Sequence, residues 1–301
     1  MKLFAVIVTY NAMRREWIDR CLQSLRQSTL PVTAVVVDNC STDGTREYVP
    51  SHYPEAVWLP QDANLGFGQA NNVGIRYALQ HEADYVLLLN QDATMASDAL
   101  ELMVKESDGK RLMTPSHYNG TGDKLDFMFR GALRLADSTL TEDRVLAGEL
   151  PTVCTAKEIC AACWLMPVAL IDAIGGFNPL FFQYSEDNNY YQRMVYHGLG
   201  DTIYVPAAKM CHDRQVYGNA AAFRRHQLRR DMLLLATNIN LSFLRFVAKW
   251  LRLLARCYVY DLRRGKYLPG TYTADSLWLL GKARSISRSR KQEKQRGRTW
   301  L

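Results

Sequence analysis

Short apolar runs and amphipathic stretches alternate along residues 1–222. Residues 3–8 are uninterruptedly apolar, and residues 16–27 place Trp17, Cys21, Leu22 and Leu25 at helical spacing. This pattern predicts a buried strand followed by a helix. Residues 32–37, rich in β-branched side chains, predict a second strand, with a helix starting at Arg46. Residues 56–59 predict a third strand and 73–79 a helix, and the run Tyr85-Val86-Leu87-Leu88-Leu89 predicts a fourth strand. Strands that are apolar along their whole length are covered on both faces, and strands alternating with helices form parallel sheets with right-handed crossovers. The expected class is therefore α/β, with a mostly parallel, Rossmann-like sheet and flanking helices.

Each apolar run stops abruptly in polar residues: Thr9-Tyr10-Asn11, Asp38-Asn39, Asn64-Leu65-Gly66, and Asn90-Gln91-Asp92. In open α/β sheets ligands bind beyond the carboxyl ends of the strands, so these tips are the candidate site. Asn90 and Asp92 lie two positions apart, hence on one side of an extended chain, where an amide and a carboxylate can hold a divalent cation or a ribose. Asp38 can accept from a base N–H or a ribose hydroxyl, Thr9 and Tyr10 can frame a base, and Gly66 and Gly68 allow close backbone approach. The same residues also suit plain turns and helix caps. The Gly66-Phe67-Gly68 stretch lacks the third glycine of a dinucleotide fingerprint and the Lys-Ser/Thr of a phosphate loop.

Further along, residues 124–150 alternate irregularly and are expected to form strands and loops beside an acceptor cleft. Residues 159–168 are apolar around Trp164, a side chain that suits either the core or that cleft. A Gly175-Gly176 turn and Pro179 lead through an aromatic segment to Glu186-Asp187, at the start of a helix expected over 188–197. Adjacent carboxylates there serve either as partners of the helix dipole or as a general base that takes the proton of an attacking hydroxyl. A strand over 202–205 precedes Cys211-His212-Asp213-Arg214.

Taken together, Val6-Ile7-Val8-Thr9-Tyr10-Asn11, Val37-Asp38-Asn39-Cys40-Ser41-Thr42-Asp43-Gly44, the Asn64/Gly66/Ala70/Asn72/Gly74 set and Leu88-Leu89-Asn90-Gln91-Asp92 resemble the inverting family 2 glycosyltransferases of the GT-A fold. The resemblance is closest to bacterial rhamnosyltransferase-like members that build surface polysaccharides such as O-antigen or capsule. It implies a nucleotide-sugar donor, first dTDP-rhamnose, with UDP-hexoses, UDP-galactofuranose and GDP-sugars open, and a saccharide acceptor that is lipid-linked. By the same resemblance Thr9, Tyr10, Asn11, Asp38, Asn64, Gly66, Asn71, Asn72, Asn90, Gln91 and Arg214 surround the donor, and Trp164 lies on the acceptor side. Asp92 and His212 would hold Mn²⁺ or Mg²⁺, Asp187 would be the base and Glu186 its orienting neighbour. Asn90 departs from the family's DxD motif, an amide standing where the first carboxylate is expected. A nucleotidyltransferase would need a Gly-rich basic loop near Thr9, which is missing. A silent nucleotide-sugar binding module would not need Glu186-Asp187, and a transferase onto polyprenyl phosphate would more often carry membrane-spanning helices.

Charge divides the chain. Residues 223–301 hold nineteen Lys and Arg against four Asp and Glu, while residues 1–222 hold eighteen against twenty-six. The expected division is a catalytic domain over 1–222 (nucleotide-sugar half 1–112, acceptor half 113–222) and a basic helical region over 223–301, with the boundary at 218–223. Within a helix expected over 224–264, Arg245, Lys249, Arg252 and Arg256 form one stripe, and Phe243, Val247, Trp250 and Leu254 another. Such a helix suits anionic lipid, or else packs on the catalytic domain or on a second copy in a homo-oligomer. The tail over 282–298 is expected to be disordered. No RRM, zinc or helix-turn-helix pattern argues for nucleic acid. Seven cysteines without paired CxxC spacing, no basic leader and no spanning apolar run lead to the expectation of a cytoplasmic protein, peripheral on the inner face of the cell membrane.

Overall fold

The apolar runs become strands in the computed structural model, which describes residues 1–214, 220–263 and 269–301. β1 (Leu3–Thr9), β2 (Thr33–Asp38), β3 (Val57–Pro60) and β4 (Tyr85–Leu89) are parallel neighbours in the order β3-β2-β1-β4. Helices α1 (Trp17–Arg26), α2 (Thr45–His52) and α3 (Phe67–Gln80) connect them. The register pairs Thr9 with Asp38, so the polar ends of the first two runs share one edge. That much follows the sequence pattern.

The second half departs from a purely parallel plan. A short β5 (Ala93–Met95) and α4 (Ala99–Lys105) lead to β6 (Met113–Asn119). Residues 127–146 contain two helices, α5 (Phe127–Ala136) and α6 (Glu142–Leu146), where strands and loops were expected. Their physical signal is local. Asp126 caps α5, its Oδ1 accepting from Met128 N at 3.0 Å and Phe129 N at 3.1 Å, and Phe129 and Leu133 form the buried face. β7 (Cys154–Ala156) and β8 (Cys163–Pro167) follow, and β8 runs antiparallel to β4, pairing Leu88 with Trp164. After α7 (Val168–Ile174) and α8 (Glu186–Tyr196), β9 (Thr202–His212) runs parallel to β6 and antiparallel to β5 and β7. β9 continues well past the expected 202–205. That extension sets His212 opposite Ala93, next to the end of β4.

Apolar side chains fill both faces of the sheet. One core joins β1, β2 and β4 to α1 and α4 through Ile7, Leu22 and Met103; the other joins them to α3, α7 and α8 through Val6, Ile75 and Met194. Trp164 belongs to the second core, 6.0 Å from Phe177 and 5.6 Å from Tyr190 between ring centroids, with its indole N–H donating to Ile159 O at 3.2 Å. It is a core residue, and the expectation that it faces an acceptor is corrected: β8 points it inward.

The basic region is helical: α9 (Ala220–Thr237), α10 (Phe243–Arg263), α11 (Pro269–Gly281) and α12 (Ala283–Glu293). Of the expected boundary, residues 218 and 219 lie outside the described residues, as does Arg264 at the expected helix end. The single long helix is instead two, parted at Asn238–Ser242, where Asn240 Nδ2 donates to Gln192 O at 2.8 Å. The tail is ordered rather than disordered. Glu293 Oε1 accepts from Asn178 Nδ2 at 2.8 Å and Asn189 Nδ2 at 2.9 Å, and Gly176 N donates to Thr299 O at 2.9 Å. Its abundant Lys and Arg hide the few residues, Ile286, Ser289 and Glu293, that are buried. A basic composition marks solvated surface only when no partner face is offered, and here Asn178 and Asn189 offer one. Among the described residues no helix is long and apolar enough to cross a membrane.

Candidate active site

A cleft of about 850 Å³ opens beyond the carboxyl ends of β1, β2 and β4. Tyr10, Asn39 and Asn64 line one end. The strand tips are tied to one another there. Tyr10 N donates to Gln91 Oε1 at 2.8 Å and Gln91 Nε2 returns to Tyr10 O at 3.3 Å, which clasps β1 to β4. Asn39 Nδ2 donates to Asn64 Oδ1 at 2.9 Å while its own Oδ1 accepts from Leu65 N at 2.7 Å. Asn39 lines the cleft, and the sequence reading passed over it in favour of its neighbour Asp38. The signal was present, since Asn39 is the last polar residue of that tip.

Several expected donor contacts lie behind this surface instead. Thr9 and Asp38 are fully buried; Asp38 accepts from Thr9 Oγ1 at 3.2 Å, Ser41 N at 3.2 Å and Arg46 Nε at 2.9 Å. Asn11 Oδ1 accepts from Thr42 N at 2.8 Å, and Asn71 Nδ2 donates to Phe67 O at 3.0 Å within α3. Asn72 grips the Phe177 backbone on both sides, donating to its O at 2.8 Å and accepting from its N at 2.7 Å. These residues lie outside the lining of the cleft and hold the loops that form it, bonded to protein partners. Gly66 lines the cleft and also serves packing. Its φ is +77°, and a Cβ there would sit 2.0 Å from Phe182 O. Phe67 N donates to that same oxygen at 2.9 Å, pinning the 180–185 loop over α3.

The middle of the cleft holds the candidate cation site. Asp92 follows β4 and His212 ends β9, 120 residues later, yet the pairing of β5 with β9 brings His212 Nε2 within 3.1 Å of Asp92 Oδ1. Asn90 Nδ2 lies 3.3 Å from the same nitrogen, and Asn90 Oδ1 is buried without a hydrogen-bond partner. A carboxylate, an imidazole and an unsatisfied amide oxygen are a suitable partial donor set for Mn²⁺ or Mg²⁺, to be completed by phosphate oxygens and water. Among the described residues no cluster of three or more His, Cys, Asp or Glu side chains forms a complete protein cage. Arg214 flanks this group, its Nε donating to Asp126 Oδ2 at 3.1 Å and its Nη2 lying 3.3 Å from His212 Nδ1. Asp126 is held below the usual carboxylate range chiefly by Arg214 and the α5 backbone, against the effect of burial. Arg214 therefore stays a fixed cation beside the cleft.

Glu186 and Asp187 open α8 and line the same cleft. The two residues before and at the cap, Tyr184 and Ser185, take positive φ of 67° and 71°, a backbone form that non-glycine residues adopt at a cost. The two carboxyls differ in surroundings. Glu186 is buried, its Oε2 has no hydrogen-bond partner, and burial together with Asp187 pushes its pKa up to about 8. Asp187 is partly exposed to the cleft; burial raises its pKa too, but the Asn188 backbone N–H at 2.8 Å, the backbone at Ala161 and the Arg214 charge all favour its anion. Adjacent carboxyls with diverging environments sort into an acid and a base. Burial raises both carboxyls, Glu186 to about 8, while the contacts that favour an anion gather on Asp187.

The linkage has a measurable sign. Between 4.5 and about 8 folded Glu186 holds a proton that the unfolded chain has released, so this group makes stability fall as pH rises through that window. Glu186→Gln removes the term. The variant's melting temperature should match wild type near pH 5 and exceed it by a few degrees at pH 8, at about 2–4 °C per kcal/mol for a chain of this size. Parallel calorimetric scans check this, and an unchanged difference across the pH range would refute the buried-acid assignment.

The far wall comes from the basic helices. Arg229, Arg230 and Leu233 of α9 and Trp278 of α11 line the same cleft. The sequence reading offered this region to anionic lipid, to the catalytic domain or to a second copy, and named none of its residues as lining the cleft.

A family model described as glycosyl transferase family 2 matches residues 4–157, half of the chain. The chain belongs to glycosyl transferase family 2. Within the family it is 24% identical over 237 residues, 69% of this chain and 75% of the relative, to the N-acetylglucosaminyl-diphospho-decaprenol L-rhamnosyltransferase of Mycobacterium tuberculosis. It is 31% identical over 103 residues, 34% of this chain and 32% of the relative, to the O-antigen chain rhamnosyltransferase of Salmonella anatum. Among solved structures, S. aureus TarS 1-349 in complex with UDP-GlcNAc superposes with a TM-score of 0.58 at 16% identity, covering 98% of this chain and 91% of that one. That likeness shows the fold: this glycosyltransferase has the GT-A architecture, with a mixed α/β sheet and C-terminal helices.

Proposed function

We propose that this family 2 enzyme transfers L-rhamnose from dTDP-rhamnose to a hydroxyl of a lipid-linked saccharide, with inversion, in the synthesis of a bacterial surface polysaccharide. One observation carries the catalytic part: a single cleft is lined by Asp92, His212 and Asp187 together. The donor sugar and the lipid-linked acceptor are supported by the likeness to a rhamnosyltransferase whose name specifies a diphospho-decaprenol acceptor.

The nucleotide fits the end of the cleft formed by Tyr10, Asn39 and Asn64, with its diphosphate toward Arg214. Asp92 and His212, with the Asn90 amide oxygen beside them, would hold Mn²⁺ or Mg²⁺, which when bound supplies positive charge to the departing diphosphate. Asp187 takes the proton of the acceptor hydroxyl as its oxygen bonds to the anomeric carbon and the bond to the diphosphate breaks. Attack from the face opposite the leaving group inverts the configuration. Neutral Glu186 adds no second negative charge beside Asp187.

Attachment to an anionic membrane surface belongs to the same reading. α10 buries only part of its apolar stripe: Phe246, Trp250 and Leu254 pack against neighbouring helices, while Phe243 and Leu244 are 74% and 79% exposed beside Arg245. Exposed apolar groups among cations suit such an interface.

A panel of nucleotide sugars, each with Mn²⁺, Mg²⁺ or EDTA, tests the function through released nucleotide. Release from dTDP-rhamnose that EDTA abolishes is the expected result. Release from another donor would replace the sugar, release that EDTA leaves intact would remove the cation, and silence across the panel would remove the donor assignment.

A further inference from the structure

The wall made by α9 and α11 has a chemistry that neither the donor nor a neutral sugar explains. Arg229 donates from Nε to the buried Asp275 at 2.7 Å and lies 5.3 Å over the Trp278 ring. Arg230 lies 4.6 Å over the Tyr184 ring, at the foot of the strained turn that delivers Glu186. Both arginines line the cleft, each guanidinium held over an aromatic ring. Guanidinium N–H groups in a cleft pair well with phosphate oxygens. Arg230 stands over Tyr184, two residues before Glu186, whereas Arg214 reaches Asp126 and His212.

We infer that Arg229 and Arg230 form a subsite for the diphosphate of the acceptor, a saccharide carried on a prenyl diphosphate. This rests on the lipid-linked reading above and gives it a location. Leu233 continues the wall in apolar character, and on α11, next to Trp278, Leu277 and Leu280 are 63% and 60% exposed. Exposed apolar side chains of α11 thus accompany the two cations, as suits a head group that enters the cleft while its chain stays in the bilayer.

Binding of farnesyl diphosphate to the full chain tests the subsite without requiring turnover. Measured by equilibrium dialysis in EDTA, wild type should bind it equally well with and without a saturating mixture of dTDP and UDP. Arg230→Gln should weaken it by about tenfold or more, the loss of one charge-assisted phosphate contact, and leave dTDP and UDP binding alone. Arg230→Lys, which keeps the charge, should lose less, and a wild-type-like melt of either variant shows that the fold persists. The inference is overturned if nucleotide diphosphates displace farnesyl diphosphate, which would assign the arginines to the donor. It is equally overturned if farnesol binds as tightly, or if both variants bind like wild type. Should no nucleotide sugar turn over while farnesyl diphosphate binding still depends on Arg230, the proposed reaction falls and the subsite stands.

Discussion

Asp187→Asn should lower kcat by about 10²–10⁴-fold, the range for a lost general base, and leave donor binding close to wild type. The asparagine amide can still accept from the Asn188 N–H that holds Asp187 at 2.8 Å, so the loop should keep its form while losing the proton acceptor. The pH profile separates this from a structural effect. Burial lifts Asp187 above its ordinary 3.8, and only the anion accepts a proton, so wild-type kcat/KM should climb with pH through that raised value and then level off. In Asp187→Asn the residual rate should lack this acidic limb. Turnover near wild type, or an unaltered limb, would transfer the role to another group. Glu186 is poorly placed to take it, because it remains protonated until about pH 8.

Asp92→Asn should reduce transfer by about 10²-fold or more, the scale of charge stabilisation that a cation gives a leaving phosphate. Asp92 contributes the one full negative charge of the trio with His212 and Asn90, and its Oδ1 lies 3.1 Å from His212 Nε2. The substitution leaves a neutral set that attracts Mn²⁺ weakly. Manganese binding followed by electron paramagnetic resonance gives a readout independent of turnover: wild type with dTDP should retain the ion, and Asp92→Asn should release most of it. Transfer and ion binding should fall together. If activity fell and Mn²⁺ remained, Asp92 would act on the sugar or the base pair instead.

The two halves of the site differ in how far the sequence announced them. Asn90, Gln91 and Asp92 follow directly from a five-residue apolar strand, because a buried strand must end where polar groups can meet water or ligand. Glu186-Asp187 stood out for the same local reason, two acids at a helix start. Asn72, by contrast, reads in sequence like any polar residue of a ligand loop, yet its amide is spent on the Phe177 backbone. Only the partner 105 positions away reveals that, and local pattern carries no information about it. Trp164 was ambiguous for a similar reason: an aromatic in an apolar run suits both core and cleft until the pairing of β8 with β4 fixes which way it points.

From the sequence alone came the α/β class, the first four strands, the four polar tips and the acid pair, which depend on periodicity and short spacing, and the resemblance to family 2 glycosyltransferases, which rests on four motifs in order. Tertiary structure decided which polar residues face the cleft, that β9 carries His212 to Asp92, and that the basic helices wall the site rather than only coating a surface. Those outcomes depend on which distant segments pair and whose hydrogen bonds are already filled. The +15 balance of residues 223–301 looks the same whether its arginines face water, lipid or a cleft, and the packing of α9 against α8 and α11 sets Arg229 and Arg230 in the lining of the cleft.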